Sequence, residues 1–465
     1  MDRVLLISIR PEDRRVAVLE DGRLVEFHWE FRGRARKVGS LFKGRVQRQV
    51  TGGGVFVDIG LDRPGYLDSR DMIQQCRPGE LVMVQLRDEG GEGKGPKLSQ
   101  RIAIEGRNLI MEPFSGRIGV SRRLQSGSER ARLKEAVESG ISMGTGFIVR
   151  SAAQGSPRED IMREVGALEG LWAKILKDFQ DRGGPGLVWE VPDVAIRVVR
   201  DLAVKGTKVF VDSEEEYDRV LRFLDSWVGL ESLTVKPYKE GRPLLAYWRV
   251  VGELENLASP VVPLKSGGNI VIEHTEALTA IDVNSGAFEG MDRTGRLIQT
   301  NLEAVQEVAR QLRLRNITGN VVIDLINVEG GLDSAYEELR RLTAKDRSRV
   351  KVLPPSELGM IELSRQRPNT GGEVPVLDLC HLCGSKSPRL TSIFAASLLL
   401  DRAFDAAYLR GGQGKLRLTG NKDIIQSLVG LFSESLHRLE GSVGGGIVLD
   451  ERREAGFEVR WEDGP

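Results

Sequence analysis

Little in this 465-residue chain supports chemistry built on histidine or cysteine. Its four histidines, His28, His274, His381 and His437, are scattered, which argues against a two-histidine acid–base nuclease and leaves each a structural residue first. Three cysteines, Cys76, Cys380 and Cys383, are too few for a secreted disulfide scaffold. No run approaches the roughly 18 to 20 apolar residues needed to span a bilayer. The apolar stretch Val4-Leu5-Leu6-Ile7-Ser8-Ile9 is too short for a signal peptide, so a cytoplasmic location is expected. No Gly-x-x-x-x-Gly-Lys-[Ser/Thr] loop occurs, which argues against a P-loop triphosphatase. Excess charge is also missing: Lys+Arg and Asp+Glu are both 67. Any nucleic-acid binding must therefore come from clustered charge rather than from the total.

What is present is an ordinary globular composition, 40% apolar and 29% charged, long enough for about three domains. The N-terminus predicts strands at Val4–Ile9, Val16–Leu19 and Leu24–Trp29, with Asp21-Gly22 as the second turn. From Phe31 to Val57 the chain carries Arg32, Arg34, Arg36, Lys37, Lys43, Arg45 and Arg48 without an acid. Glycine corners and Phe56 and Tyr66 follow, the pattern of a small closed barrel with a stacking face for nucleic acid. The alternative is a solvated basic loop beside a barrel whose core is filled by Phe56 and Tyr66. Asp88–Lys97 suits a hairpin tip. Ser126–Glu129 has capping-box spacing before a helix over Glu129–Glu138, and a second helix is expected around Asp160–Phe179. Further helices are expected at Glu214–Val228 and Asp333–Lys345.

Two runs, Ala280-Ile281-Asp282-Val283-Asn284-Ser285-Gly286 and Val321-Val322-Ile323-Asp324-Leu325-Ile326-Asn327, place an acid in strand-like apolar sequence. A carboxylate at the end of a buried strand costs several kcal/mol unless it is paired or bound to a cation. Between them, Ile298, Leu302, Val305, Ala309 and Leu312 repeat at helical spacing, with Gly319 as the stop. Strand, helix, strand would bring Asp282 and Asp324 to one edge of a sheet. Asn284 would lie two residues on, on the same strand face. That is a donor set for Mg²⁺ in phosphate chemistry. The other reading is two acids that cap strands or pair with arginines. Cys380-His381-Leu382-Cys383 holds two of the four ligands a structural zinc needs. It is half of a site shared by two chains, a redox pair, or two free thiols.

These segments together resemble the bacterial ribonuclease E/G family, and the length fits its shorter ribonuclease G type. Ala280–Gly286 and Val322–Ile326 look like its two metal motifs, and Ile361–Arg367 like a signature segment that follows. Lys43–Val46 and Val55–Gly60 look like its RNA-binding barrel. Gly119–Arg123, Ile148–Ala152 and Asp346–Val350 look like the region that senses an RNA 5′ end. The resemblance implies an α/β multidomain chain. A ribonuclease-H-like domain (1–35 and 201–260) would carry an inserted all-β OB-fold (36–100) and a 5′-sensor region (101–200). A DNase-like α/β catalytic domain (261–377), a zinc-link (378–390) and a small C-terminal α/β domain (391–465) would follow.

Carried over, Asp282 and Asp324 would be the catalytic carboxylates holding Mg²⁺ or Mn²⁺, with Asn284 assisting. Gly106, Ile110, Arg150, Ser151 and Arg349 would bind the 5′-phosphate. Lys43, Phe56, Tyr66 and Lys94 would contact RNA. Cys380 and Cys383 would hold a Zn²⁺ shared between two chains of a homodimer or homotetramer. The implied activity is metal-dependent endonucleolytic cleavage of single-stranded RNA, favouring 5′-monophosphorylated ends, in rRNA and tRNA processing and mRNA decay. Two departures stand out. Asn327 replaces a usual Asp, and Ser151 replaces a usual Thr. The long disordered scaffold of larger members is not expected. An RNA-binding protein that keeps the fold without cutting is the rival reading, and a redox protein using Cys380 and Cys383 is a third.

Overall fold

The computed structural model describes residues 2–31, 38–50, 52–90, 95–142, 144–226, 233–286, 293–328, 330–366, 376–379, 388–453 and 456–462. The first three strands, Arg3–Ile9, Asp13–Glu20 and Arg23–Phe31, form an antiparallel meander. The turn at Asp21 (φ 48) and Gly22 (φ 77) has both central residues left-handed, as the twist of a two-residue hairpin requires. The chain then leaves this sheet and returns at Lys208–Val211, which pairs in parallel with Arg3–Ile9 and on its other side with Thr234–Pro237. Both faces of the sheet are covered, which is why Val4–Ile7 reads as an unbroken apolar run. One face packs on the helix Val194–Leu202. The other packs on the helices Leu244–Tyr247, Val250–Glu255 and Ser392–Arg410. The expected boundary at residue 200 therefore falls inside a helix that belongs to this sheet.

Two bodies occupy the excursion between Phe31 and Lys208. In the first, Leu41–Gln49, Val55–Asp58, Gly65–Leu67, Lys97–Ser99 and Leu81–Asp88 close into a five-stranded barrel through the pairing of Leu41–Gln49 with Leu81–Asp88. Gly186–Trp189 adds a sixth strand at its rim. The barrel core is Phe42, Val46, Val55, Val57, Ile59, Leu67, Val82, Val84, Leu86 and Leu98. Phe56 and Tyr66 are not part of it. The second body is a four-stranded sheet, ordered Ile118–Val120, Gly146–Val149, Leu109–Glu112, Ile104–Glu105. It is backed by the helices Gly127–Gly140 and Arg158–Asp181. Ser126 Oγ caps the first of these by accepting from Glu129 N at 3.3 Å.

A six-stranded sheet follows, ordered Val261–Pro263, Asn269–His274, Thr279–Asn284, Gly319–Asp324, Met360–Arg365, Val350–Val352. Its only parallel pair among the described residues is Thr279–Asn284 with Gly319–Asp324, joined by the helix Arg293–Leu314. That helix and Gly331–Thr343 cover one face through Ala304, Val305, Val308, Leu312, Ala335 and Leu339. Gly319 is not the helix stop. The helix ends at Leu314, Asn316 takes the left-handed turn (φ 50), and Gly319 opens the next strand. The C-terminal body has Lys415–Gly420 between Ile447–Glu451 and Phe457–Glu462, with the helices Lys422–Leu431 and Ser433–Ser442 beside it. Asp401 in the helix Ser392–Arg410 ties this end to the start of the chain, accepting from buried Arg15 at 2.7 Å and pairing with Arg10. No described helix is long and apolar enough to cross a membrane.

Candidate nuclease centre and RNA-contacting surfaces

Alternation along the paired strands decides where the two acids point. Ile281, Val283, Val321 and Ile323 face the helices, so Asp282, Asn284 and Asp324 face away, and all three are exposed. The parallel register sets Asp282 directly beside Asp324, one strand spacing of about 4.8 Å apart. Both lie at the C-terminal ends of their strands, in the middle of the sheet rather than at its edge. Their exposure also removes the burial penalty that the sequence suggested, because the outer face of the sheet is uncovered there. Asn284 Nδ2 donates to Asp282 Oδ2 at 2.8 Å and lies 3.4 Å from Asn269 Oδ1, which fixes the Asp282 side chain. Among the described residues no group of three or more His, Cys, Asp or Glu comes together as a metal cluster. Two carboxylates and an amide on an open face suit a hard cation that keeps most of its water. They do not suit a caged transition metal. Asn327 is exposed, three residues past Asp324 and beyond the strand end.

The four-stranded sheet carries the residues assigned to a 5′ phosphate. Arg150, at the end of Gly146–Val149, donates through Nη1 to Gly106 O and to Asp201 Oδ1 at 3.1 Å. Burial would push the Asp201 carboxyl up. Arg200, Arg150 and Arg347 around it outweigh that and hold it at about 2. Gly106 is tightly packed: a Cβ there would lie 2.3 Å from Glu164 Oε1 and 3.0 Å from Leu109 O. Buried Glu164 in turn accepts from Asn108 N at 2.9 Å and Leu109 N at 3.2 Å, clamping the turn behind Arg150. Ile110 is half-buried opposite Ile148, and Ser151 opens the short helical turn Ser151–Ala153. Arg123 Nη1 donates to Arg347 O at 2.6 Å, which draws the stretch bearing exposed Arg349 against this body. Arg150, Arg200 and Arg347, distant in sequence, thus meet around Asp201.

On the barrel, Phe56 and Tyr66 are directly paired across neighbouring strands, with ring centroids 5.7 Å apart. The Arg48 guanidinium lies 4.9 Å from the Phe56 centroid. All three are on the outer wall, as a cation and two aromatic faces that bases can stack on. Lys43 is elsewhere. It is buried and sits 4.8 Å from the Phe179 ring, and its ammonium donates to Phe179 O at 2.7 Å and to Arg182 O. It caps the C-terminal carbonyls of the helix Arg158–Asp181 and locks the barrel to that helix. An RNA contact for Lys43 is thereby corrected to a packing role, because the ammonium faces protein carbonyls. Lys94, Cys380 and Cys383 lie outside the described residues, as do Arg32, Arg34, Arg36 and Lys37.

Comparison with known proteins fits this arrangement. The profile of the Ribonuclease E/G family matches residues 103–368. Ribonuclease G of Salmonella typhimurium (strain SL1344) is 33% identical over 410 residues, covering 82% of this chain and 83% of that protein. The chain belongs to the ribonuclease E/G family. Ribonuclease G of Escherichia coli (strain K12) is 32% identical over the same shares. Ribonuclease E of Nostoc sp. (strain PCC 7120 / SAG 25.82 / UTEX 2576) is 33% identical over 370 residues, 75% of this chain and 54% of that protein. Membership places the chain among the endoribonucleases.

Several supporting residues of this ribonuclease E/G chain carry little signal in the sequence. Asn301, in the helix between the acids, donates through Nδ2 to Ile326 O at 2.8 Å, and its Oδ1 accepts from Ile326 N at 3.0 Å. It pins the chain as it leaves Asp324. An amide on the apolar stripe of a helix was the one visible hint. Asp201 and Glu164 look like ordinary helical acids until the fold turns them towards Arg150 and Gly106.

Proposed function

We propose that this chain hydrolyses phosphodiester bonds inside single-stranded RNA, with Asp282, Asn284 and Asp324 holding Mg²⁺ or Mn²⁺. The observation that carries the reading is the register of Asp282 beside Asp324 on an uncovered sheet face. When bound, such a cation lowers the pKa of a water and offsets charge on the scissile phosphate. The protein's part is to present two carboxylates at fixed spacing and to hold the Asp282 rotamer through Asn284. Arg48, Phe56 and Tyr66 would stack an unpaired strand, which excludes duplex substrates that cannot splay their bases. Arg150, Ser151 and Arg349, with Gly106 and Ile110 around them, would take a 5′-monophosphate. The biological setting proposed is rRNA and tRNA processing and mRNA decay in the cytoplasm.

The first sheet, an antiparallel meander extended by two parallel strands, supports the ribonuclease-H-like reading of residues 1–35 and 201–260. The closed barrel supports the OB-fold, and the helix-backed sheet at 261–377 supports a DNase-like domain. The decisive experiment is cleavage of a 5′-monophosphorylated single-stranded RNA in Mg²⁺ against the same reaction in EDTA. Cutting in Mg²⁺ alone is expected. Binding without cutting in either would favour the non-cleaving rival that Asn327 keeps in view.

Cys380 and Cys383 would supply half of a tetrahedral thiolate site, completed by a second copy in a dimer or tetramer. Metal analysis should then find about one zinc per two chains. The variant Cys380→Ser with Cys383→Ser should lose that zinc and shift towards monomer in sedimentation. One zinc per chain, or an unchanged oligomer in the double variant, counts against a shared site.

A further inference from the structure

The first acid-bearing run does not end at Asn284. Ser285 and Gly286 close it, and neither serves the carboxylate pair. Both line a cavity of about 560 Å³ together with Lys265, Arg293, Arg296 and Glu303. Among the described residues that line it, three cationic side chains share this space with one carboxylate. Glu303 is already engaged: Oε2 accepts from Ser266 N at 2.8 Å, and Oε1 from Gln299 Nε2 at 3.1 Å. Lys265 and Arg293 thus place positive charge beside a pair of acids that on their own repel nucleic acid.

The glycines explain how the cavity is built. A Cβ on Gly286 would lie 2.3 Å from the Gly267 carbonyl, and one on Gly268 would lie 2.4 Å from Asn284 O. Backbone meets backbone here, so a side chain at either position would push the turn away from the strand. That turn is closed by Gly267 N donating to Leu264 O at 3.1 Å and Leu264 N to Gly268 O at 2.8 Å. It carries Lys265 against the end of the Thr279–Asn284 strand, while the helix Arg293–Leu314 brings Arg293 and Arg296 from the other side. Gly286 is four residues past Asp282, about 13 Å at the rise of an extended chain. That is the reach of RNA flanking the cut, past the adjacent phosphate, and not of the bond being cut.

We infer that this cavity holds a backbone phosphate of the RNA flanking the scissile bond, with Lys265 and Arg293 as positioning residues. The inference rests on the endoribonuclease reading above. It concerns an internal phosphodiester, whereas the Arg150 pocket would take a terminal monophosphate on a different sheet. Charge-assisted bonds to one phosphate hold the strand in register over Asp282 and Asp324, so they act on substrate affinity more than on the chemical step.

The test uses single-stranded oligoribonucleotides in which one phosphate at a time, on either side of the cut, is replaced by an uncharged methylphosphonate. With wild-type protein, one flanking position should raise KM about tenfold, with kcat nearly unchanged. Lys265→Gln with Arg293→Gln should raise KM by a similar factor on unmodified RNA. It should show no further rise when that same phosphate is neutral. The charge-keeping pair Lys265→Arg with Arg293→Lys should recover most of the loss. Should the double variant fold poorly, Lys265→Gln alone, at an exposed turn, carries the same comparison. Penalties that simply add at every position, or no sensitive position at all, overturn the inference. A protein that cuts none of these RNAs overturns the endoribonuclease reading instead. Dissociation constants of the same oligonucleotides, by anisotropy, then decide whether the cavity takes a phosphate.

Discussion

Asp324→Asn, and separately Asp282→Asn, should each lower kcat by about 10³-fold or more while RNA affinity stays within about threefold. The size follows from what one carboxylate does for a hydrated cation. Removing its charge weakens both the capture of the ion and the electrostatic offset at the scissile phosphate, several kcal/mol of transition-state stabilisation together. The fold should not suffer. Both side chains are exposed on an uncovered face, and neither makes an ion pair among the described residues. Melting temperature therefore separates the two readings of these acids. If they were strand caps paired with arginines, the variants would lose stability and keep activity. Single-turnover rates in saturating Mg²⁺, beside a thermal melt, check both. A variant that cut at near wild-type rate would remove the metal assignment.

Arg150→Ala is the second substitution with a large expected effect. Wild-type protein should cut 5′-monophosphorylated RNA about tenfold faster or more than 5′-triphosphorylated or 5′-hydroxyl RNA. The variant should lose most of that difference. Arg150 also faces Asp201, and a buried carboxylate left without a partner would confuse the result. Here it is not left alone, since Arg200 Nη2 holds Asp201 at 2.9 Å. The variant should fold, and the loss should fall on the favoured substrate alone. If instead all three RNAs slow equally, Arg150 belongs to a general backbone-binding surface. Equal wild-type rates on the three ends would remove the sensor and leave the nuclease in place.

How far the sequence reached differs from element to element. The strand–helix–strand order around Asp282 and Asp324 was legible because hydrophobic period changes from two to three or four there, and the parallel register then follows from topology. The exposure of the acids was not legible. A run such as Ala280–Val283 looks the same whether one face or two are covered, and only the absence of a second helical layer decides it. Asp21-Gly22 and Ser126–Glu129 were readable because a turn and a cap are local. Lys43 was misleading for the opposite reason. It sits in a basic run, yet its partners Phe179 and Arg182 are about 140 residues further on. The five residues expected to bind a 5′ phosphate came from family resemblance alone, because Gly106, Arg150 and Arg349 share no local pattern.

The excursion of the chain between Phe31 and Lys208 has a consequence for synthesis on the ribosome. The strand Arg3–Ile9 emerges first, but its parallel neighbour Lys208–Val211 comes about two hundred residues later. At translation speeds of 5 to 20 residues per second the wait is roughly 10 to 40 s. Throughout it, the nascent meander keeps an open apolar edge of Val4, Leu5, Leu6 and Ile7. The barrel and the four-stranded body can each close within that interval from contiguous sequence. The platform that carries them matures after both, and the Arg15–Asp401 pair cannot form until residue 401 has emerged. Holdase capture of stalled nascent chains should therefore concentrate on the oldest residues rather than the newest.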